Sequence, residues 1–470
     1  MLGAAVATSA ALAACGGGGG GAKVPSALDP ANMVPATSVA YASVAIRPQG
    51  SIKTNLSEAI DSIAGKGSAS RLYAKFKKSA GKQWSELEAW AGQRAGVALT
   101  AVPSKLADSD PLTDDAVFVI PTNDPSAAKK FLAKNIRQSS ETWKVVGHYA
   151  IFGGKAAVAE ALATTPKTSL AADAGFKSDV AKLGGDELFT AYAPLHQLYQ
   201  ELLPLLKSIP SYSASTLSGA AKQAPPGSSV AFGMAALHNQ FRIDVIKHGT
   251  PTTNTPTSSV ASDVSSLPGS AWLAITLGGA LAKGSTVSEL TSNLSKEFGA
   301  IQALNGKLGS HVPSGPLGFV EQDLLPALGP AELSISGTSI TALHAGLVMA
   351  PDNKDAGAHL AEAVKHLVSG LPISSSSTGG RVAVTFGISN LQQLLNPSSK
   401  LGSDPSFKHA LAQLPAGAKA DVYLDFAPIT DLASLDQGAV PGSVTKVLHR
   451  LDYLIAGGTH SHFRLVLTTY

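Results

Sequence analysis

Five stretches of this chain occur twice, and the second set keeps the order of the first. VPATSVAYASVAI (residues 34–46) is answered by LPGSAWLAITLGG (267–279), and LEAWAGQRAGVALTAV (87–102) by EQDLLPALGPAELSISG (321–337). DAVFVIPTNDPSAAKKFLAKNI (115–136) is answered by HAGLVMAPDNKDAGAHLAEAVKHL (344–367), each a strand, a Pro and Asp/Asn turn, and an amphipathic helix. LFTAYAPLHQLYQEL (188–202) matches VYLDFAPITDLASL (422–435), and FGMAALHNQFRIDVI (232–246) matches LIAGGTHSHFRLVL (454–467). Any fold for this chain therefore has to be buildable twice. The expectation is one unit over 34–248 and a second over 267–470, joined by the Thr, Ser and Pro tract of 249–266, which has too few large apolar residues to bury itself.

Within a unit the periodicities predict strand, helices, two strands, helix, strand, helix, strand, helix and a closing hairpin. Alternation marks the strands, as in Tyr41–Ile46 and Phe463–Leu467. Caps and 3.6-residue spacing mark the helices: Asp124-Pro125 opens one that carries Phe131, Leu132 and Ile136 on one side and Lys129, Lys130 and Lys134 on the other. Pro194 and Pro428 stand where a helix begins, a position at which a missing N–H costs nothing. Helices interspersed with hairpin-like strand pairs predict an α+β fold, two tandem copies of a mixed or antiparallel sheet with packed helices.

The N-terminus carries the second constraint. Leu12-Ala13-Ala14-Cys15 resembles a bacterial lipobox, and Cys15 is the single cysteine of the 470 residues. Residues 1–14 are read as a signal peptide; they contain no charge where a basic n-region belongs, so the true start is expected upstream of Met1. Residues 15–33 are the lipidated cysteine and a tether that begins with six glycines. The longest apolar run, Ala271–Ala282, is too short to span a bilayer, so the lipid on Cys15 is the expected attachment to the membrane and the expected location is extracytoplasmic.

The opening VPATSVAYASVAIRPQG, the AVFVIPTNDPSAAKKFL block and the repeated YAPL-type strand resemble the bacterial exported lipoproteins grouped as DUF3352, a domain of unknown function. The resemblance implies an envelope location and supplies no catalytic residues.

Chemistry is sparse. The net charge of +3, from 36 basic and 33 acidic residues with no basic run, argues against nucleic acid as a partner. Gly-x-Ser-x-Gly, the phosphate-loop pattern and His-Glu-x-x-His are absent from the sequence, and Gly65-Lys66-Gly67 lacks the third glycine of a dinucleotide fingerprint. The expectation is a non-enzyme without a cofactor.

Several groups of residues are candidate sites. His460-Ser461-His462 puts two imidazoles on one face if extended, but it reads more simply as a hairpin tip, like His238-Asn239-Gln240 in the first copy, and no metal is assigned to it. His359 and His366 on one helix read as solvent-facing. Arg242 and Arg464 recur after Phe241 and Phe463, and alternation makes the arginines the wet side. Asp108, Asp110, Asp114 and Asp115 read as a solvated loop around Pro111, and Trp84, Leu87 and Trp90 as helix core. Leu195, Leu198, Tyr199, Leu202, Leu203 and Leu206 beside Pro204, and Phe319, Leu324, Leu325 and Leu328 beside Pro326, form apolar helix faces that either pack on the sheet or line a cavity for an apolar molecule. The reading is a binding module for a hydrophobic or envelope-derived ligand; a scaffold that holds an envelope protein is the alternative.

Overall fold

The computed structural model describes residues 28–102, 114–136, 141–208, 224–249, 263–277, 331–339, 342–350, 355, 358–360, 362, 373–378, 381–387, 392–435 and 441–470. Residues 1–14, Cys15, most of the tether and of the 249–266 linker, Asp108, Asp110, Pro111, Phe319, Leu324, Leu325, Pro326, Leu328 and His366 lie outside the described residues, as does the side chain of Leu206. The described residues hold sixteen strands and ten α-helices, and every described strand pairing is antiparallel. The fold is α+β. Two compact units divide the chain: one is Met1–Thr252 with His460–Arg464 and Thr469–Tyr470, the other Thr253–Thr459 with Leu465–Thr468.

The first unit runs β1 (Ala40–Ala45), α1 (Gly50–Ala64), α2 (Ser68–Trp90), β2 (Arg94–Leu99), β3 (Ala116–Pro121), α3 (Pro125–Asn135), β4 (Glu141–Val146), β5 (Tyr149–Gly154), α4 (Lys155–Ala163), α5 (Ala174–Ala181), β6 (Glu187–Ala193), α6 (Leu195–Ser208), β7 (Ser229–Leu237) and β8 (Gln240–His248). Its strands lie in the order β8-β7-β6-β1-β2-β3-β5-β4. Where one strand was expected after α3, there are two, β4 and β5, turning at Gly147-His148 with Gly147 at φ 54°.

Local chemistry explains the other boundaries. The Asp124 carboxylate accepts from the N–H groups of Ser126 (3.0 Å) and Ala127 (2.9 Å), which caps α3. The β7–β8 hairpin closes through His238-Asn239, with Asn239 left-handed at φ 53° and Leu237 paired with Gln240. One sheet face buries Tyr41, Val117, Ile151 and Ile246 under α4 and α5; the other packs Trp84, Leu87, Trp90, Phe131 and Leu132 from α2 and α3 against Ile120 and Phe152. The tryptophans of α2 are therefore core.

The second unit runs β9 (Ala271–Leu277), β10 (Ala331–Ser336), β11 (His344–Met349), β12 (Ile373–Thr378), β13 (Arg381–Phe386), α7 (Gln392–Leu395), α8 (Pro405–Leu411), β14 (Lys419–Asp425), α9 (Phe426–Leu435), α10 (Gly442–Leu448), β15 (Leu451–Gly458) and β16 (His462–Thr469), of which Leu465–Thr468 belong to this unit. Its order is β16-β15-β14-β9-β10-β11-β13-β12, which repeats that of the first unit strand for strand. His359 is exposed, as expected.

The cores correspond as well, through a match that the strand patterns did not reveal. Leu170-Ala171-Ala172-Asp173-Ala174-Gly175-Phe176-Lys177 and Leu401-Gly402-Ser403-Asp404-Pro405-Ser406-Phe407-Lys408 share Leu, Asp, Phe and Lys at the same spacing. In each, the Asp side chain caps a helix by accepting from the Phe N–H, at 2.7 Å and 2.9 Å. Each Phe meets a sheet tyrosine edge-on: Phe176 on Tyr192 and Phe407 on Tyr423, both with ring centroids 5.2 Å apart. The Leu N–H donates to Val34 O in one unit (2.7 Å) and to Leu267 O in the other (2.8 Å).

The end of β14 carries a pH-dependent cost. Burial pushes the Asp425 carboxyl above its ordinary value, and the charges of Asp452 and Asp404 push the same way, against the Ala427 N–H that it accepts from at 2.9 Å. An acid whose folded pKa is raised favours folding fully below its unfolded value, and that contribution is lost as pH rises through the folded value. Asp425→Asn keeps the cap and removes the charge. It is expected to raise the melting temperature of the second unit at pH 7 and to leave it unchanged near pH 3, read by thermal unfolding across that range. A variant less stable at neutral pH would contradict the assignment.

Candidate functional site

Two features of the first unit stand out: a shallow apolar trough on one sheet face and a buried ion cluster on the other. The trough follows from residue size. Residues paired across antiparallel strands share a face, so Ala40 and Ala42 on β1 lie beside Ala193 and Ala191 on β6, with Ala42 paired to Ala191. On the β2 side stand Val97, paired with Ala42, and Leu99, paired with Ala40. On the β7 side stand Phe232, paired with Ala191, and Val230, paired with Ala193. Four alanines thus form a floor between two walls of larger side chains.

All eight residues are half-buried, and none belongs to a core cluster. Toward one end the floor rises to Val44 and Phe189, which are paired with each other. Val44 packs against the tryptophan core of α2 and α3, and Phe189 meets Phe232 edge-on at 5.8 Å. The other end reaches exposed Thr37, whose carbonyl accepts from Gln197 of α6. Helix α6 starts there, after Pro194, which accepts from the Leu198 N–H at 2.9 Å. Leu195, Leu198, Tyr199, Leu202 and Leu203 on it are half-buried.

On the opposite face Asp244 of β8, 2% exposed, gathers three basic side chains. His462 Nε2 lies 2.6 Å from its Oδ1, and Arg464 Nε donates to the same oxygen at 2.7 Å. Arg242 Nε lies 2.7 Å from Oδ2, an ion pair that is not aligned as a hydrogen bond. Arg242 Nη2 also donates to Leu183 O and lies 3.6 Å from Glu187 Oε1. Burial pushes the Glu187 carboxyl above its usual range, against the Gly185 N–H and the charges of Arg242 and Arg94. Arg94 donates to Glu187 O at 2.6 Å and to Ser43 Oγ at 2.9 Å.

The recurrent arginines are therefore not the wet side of their strands. The side chains of Arg242 and Arg464 are 15% and 18% exposed, whereas Phe463 is 37% exposed. The alternation that sets Phe and Arg on opposite faces is present, but Asp244 makes the arginine face the buried one. Of the two histidines, His460 sits exposed in the tip as expected, while His462 is the first residue of β16 and belongs to the cluster. His238 is exposed and pairs with Glu58 at 2.9 Å. Among the described residues no group of three His, Cys, Asp or Glu side chains could hold a metal ion. Asp114 is exposed and Asp115 half-buried just before β3.

The trough is walled by apolar side chains, and the ion cluster sets basic groups against Asp244 and Glu187. Among the described residues no helix is long and apolar enough to cross a membrane. No family profile matches the chain, and no curated protein does. A solved structure titled "Structure of crystal form I of TP0453" is similar at 9% identity over 50% of this chain and 83% of that one, with a TM-score of 0.23, too low to carry an argument.

Proposed function

We propose that this is a lipid-anchored, extracytoplasmic binding module without catalytic activity, built of two tandem copies of one unit and taking a hydrophobic or envelope-derived ligand. The observation that carries it is the half-buried alanine floor between Val97, Leu99, Val230 and Phe232, an apolar surface left out of the core clusters. The duplication is supported by the repeated strand order and by the Phe176/Tyr192 and Phe407/Tyr423 pairs. The anchor rests on the lipobox-like run ending at Cys15, and the kinship with DUF3352 rests on sequence resemblance.

Native mass spectrometry with lipid extraction, on the Cys15→Ser chain purified from its own envelope, tests the reading. A molecule of defined mass that is released only on denaturation is the expected result. A clean ligand-free mass would overturn it in favour of a scaffold for envelope proteins.

A further inference from the structure

One segment of the first unit concentrates charge of a single sign. Residues 62–85 carry Lys66, Arg71, Lys75, Lys77, Lys78 and Lys82 and no acid, six positive charges in a chain whose net charge is +3. The cations form no run in the sequence; the helix brings them together. On α2, Arg71, Lys75 and Lys78 stand at i, i+4 and i+7 and share one face. That face is opposite Tyr73, Phe76 and Ala80, which pack into the cores. All three cations are exposed, with only the small side chains of exposed Ala74 and Ser79 between them. The helix breaks at Gly81 (φ 61°), and exposed Lys82 follows; exposed Lys66 stands in the turn before α2. The acids at either end are engaged elsewhere. Asp61 of α1 accepts from the N–H groups of Gly67 (2.9 Å) and Ala69 (2.8 Å) and so holds the start of α2. Glu86 pairs with Lys134 at 2.8 Å and Glu88 with Lys77 at 2.9 Å. Among the described residues Lys66, Lys75 and Lys78 have no ion-pair partner.

Going beyond the binding reading, and independently of the lipid on Cys15, we infer that this face of α2 docks on an anionic phospholipid surface. Its charge is complementary to the head-group phosphates, and each Lys or Arg held near such a surface raises affinity about fivefold. From Arg71 to Lys78 the stripe runs about 10 Å at ~1.5 Å per residue. That matches the Debye length of about 10 Å at ~0.1 M salt, so its charges act on the surface together. Residue type favours a lipid surface over an acidic protein. Five of the six cations are lysines, hydrated point charges without the fork by which arginine reads a patterned partner. Protein interfaces are depleted in Lys and centred on aromatic anchors, whereas Tyr73, Phe76, Trp84 and Trp90 of α2 all face the core. Leu72, 37% exposed, is the large apolar side chain that α2 offers to the outside. Because the apolar face of α2 is already packed, the contact is adsorption by charge, without insertion of the helix.

The test uses the full chain with Cys15→Ser, which removes the lipid and leaves no cysteine. The probe is vesicles of phosphatidylcholine with about a third phosphatidylglycerol, against pure phosphatidylcholine as the neutral reference, and binding is read by flotation. Arg71→Gln, Lys75→Gln and Lys78→Gln together make the stripe variant. Lys129→Gln, Lys130→Gln and Lys177→Gln, all at exposed positions on α3 and α5, remove the same charge elsewhere. Expected are binding to the anionic vesicles that high salt abolishes, a loss of about a hundredfold in the stripe variant, and a control close to the parent. A polarity-sensitive dye on Ser79→Cys should respond to the vesicles, and one on Ser178→Cys, on α5 over the other sheet face, should not. The dye reads the orientation even if the stripe variant fails to fold. Equal binding to neutral vesicles, equal loss in the two triple variants, or a response at Ser178 as strong as at Ser79 would overturn the inference. So would binding to RNA or polyglutamate with none to vesicles, which would assign the stripe to a soluble acidic partner. A ligand found by native mass spectrometry in a chain that does not float would leave the binding reading standing and remove this one.

Discussion

Replacing Asp244 by Ala lowers the stability of the first unit by about 3 to 5 kcal/mol, the cost of removing one partner from a buried ion pair and leaving the others uncompensated. The carboxylate is 2% exposed and is the shared partner of Arg242, Arg464 and His462. Without it, two guanidinium groups and an imidazole face one another where water reaches them poorly, and Glu187, 3.6 Å from Arg242, answers only one of them. Arg464→Ala should cost less, because Asp244 keeps Arg242 and His462. Urea unfolding followed by circular dichroism reads both. The cluster is a surface feature if Asp244→Ala loses under 1 kcal/mol, as exposed pairs do.

The second large effect is in the other unit. Phe407 is 0% exposed and stands edge-on to Tyr423, with Leu401, Ala410 and Leu414 around it. Truncation to Ala removes the ring and leaves a cavity that the rigid sheet cannot close, at a cost of about 3 to 5 kcal/mol. Phe176→Ala should cost a similar amount in the first unit, since Phe176 holds the same place against Tyr192. The two variants are expected to shift different unfolding transitions. If both lowered the same one by the same amount, the two rings would not be equivalent core elements of separate units.

What the sequence made legible was local or repeated. Asp124-Pro125 announced α3 because cap, proline and apolar spacing act within one turn. The Phe-Arg recurrence was visible too, but its environment was misread: the buried face of β8 is set by Asp244, whose arginine partner on β16 lies 220 residues away. The Leu-x-x-Asp-x-x-Phe-Lys match escaped because it lies on short turns and a short helix, where neither period has room to show. The alanine floor was hidden for another reason. Alternation counts Ala and Leu alike as apolar, and the difference between a filled face and a groove is one of volume, seen only when the strands are paired.

The membership of β16 bears on how the chain can be made. His460–Arg464 group with a unit whose other strands all precede Gly249. Asp244 has Arg242 two residues before it, but its two remaining basic partners, His462 and Arg464, lie 218 and 220 residues further on, after nearly all of the second unit. A first unit cut out at Gly249 would therefore keep a buried carboxylate short of two of its three partners.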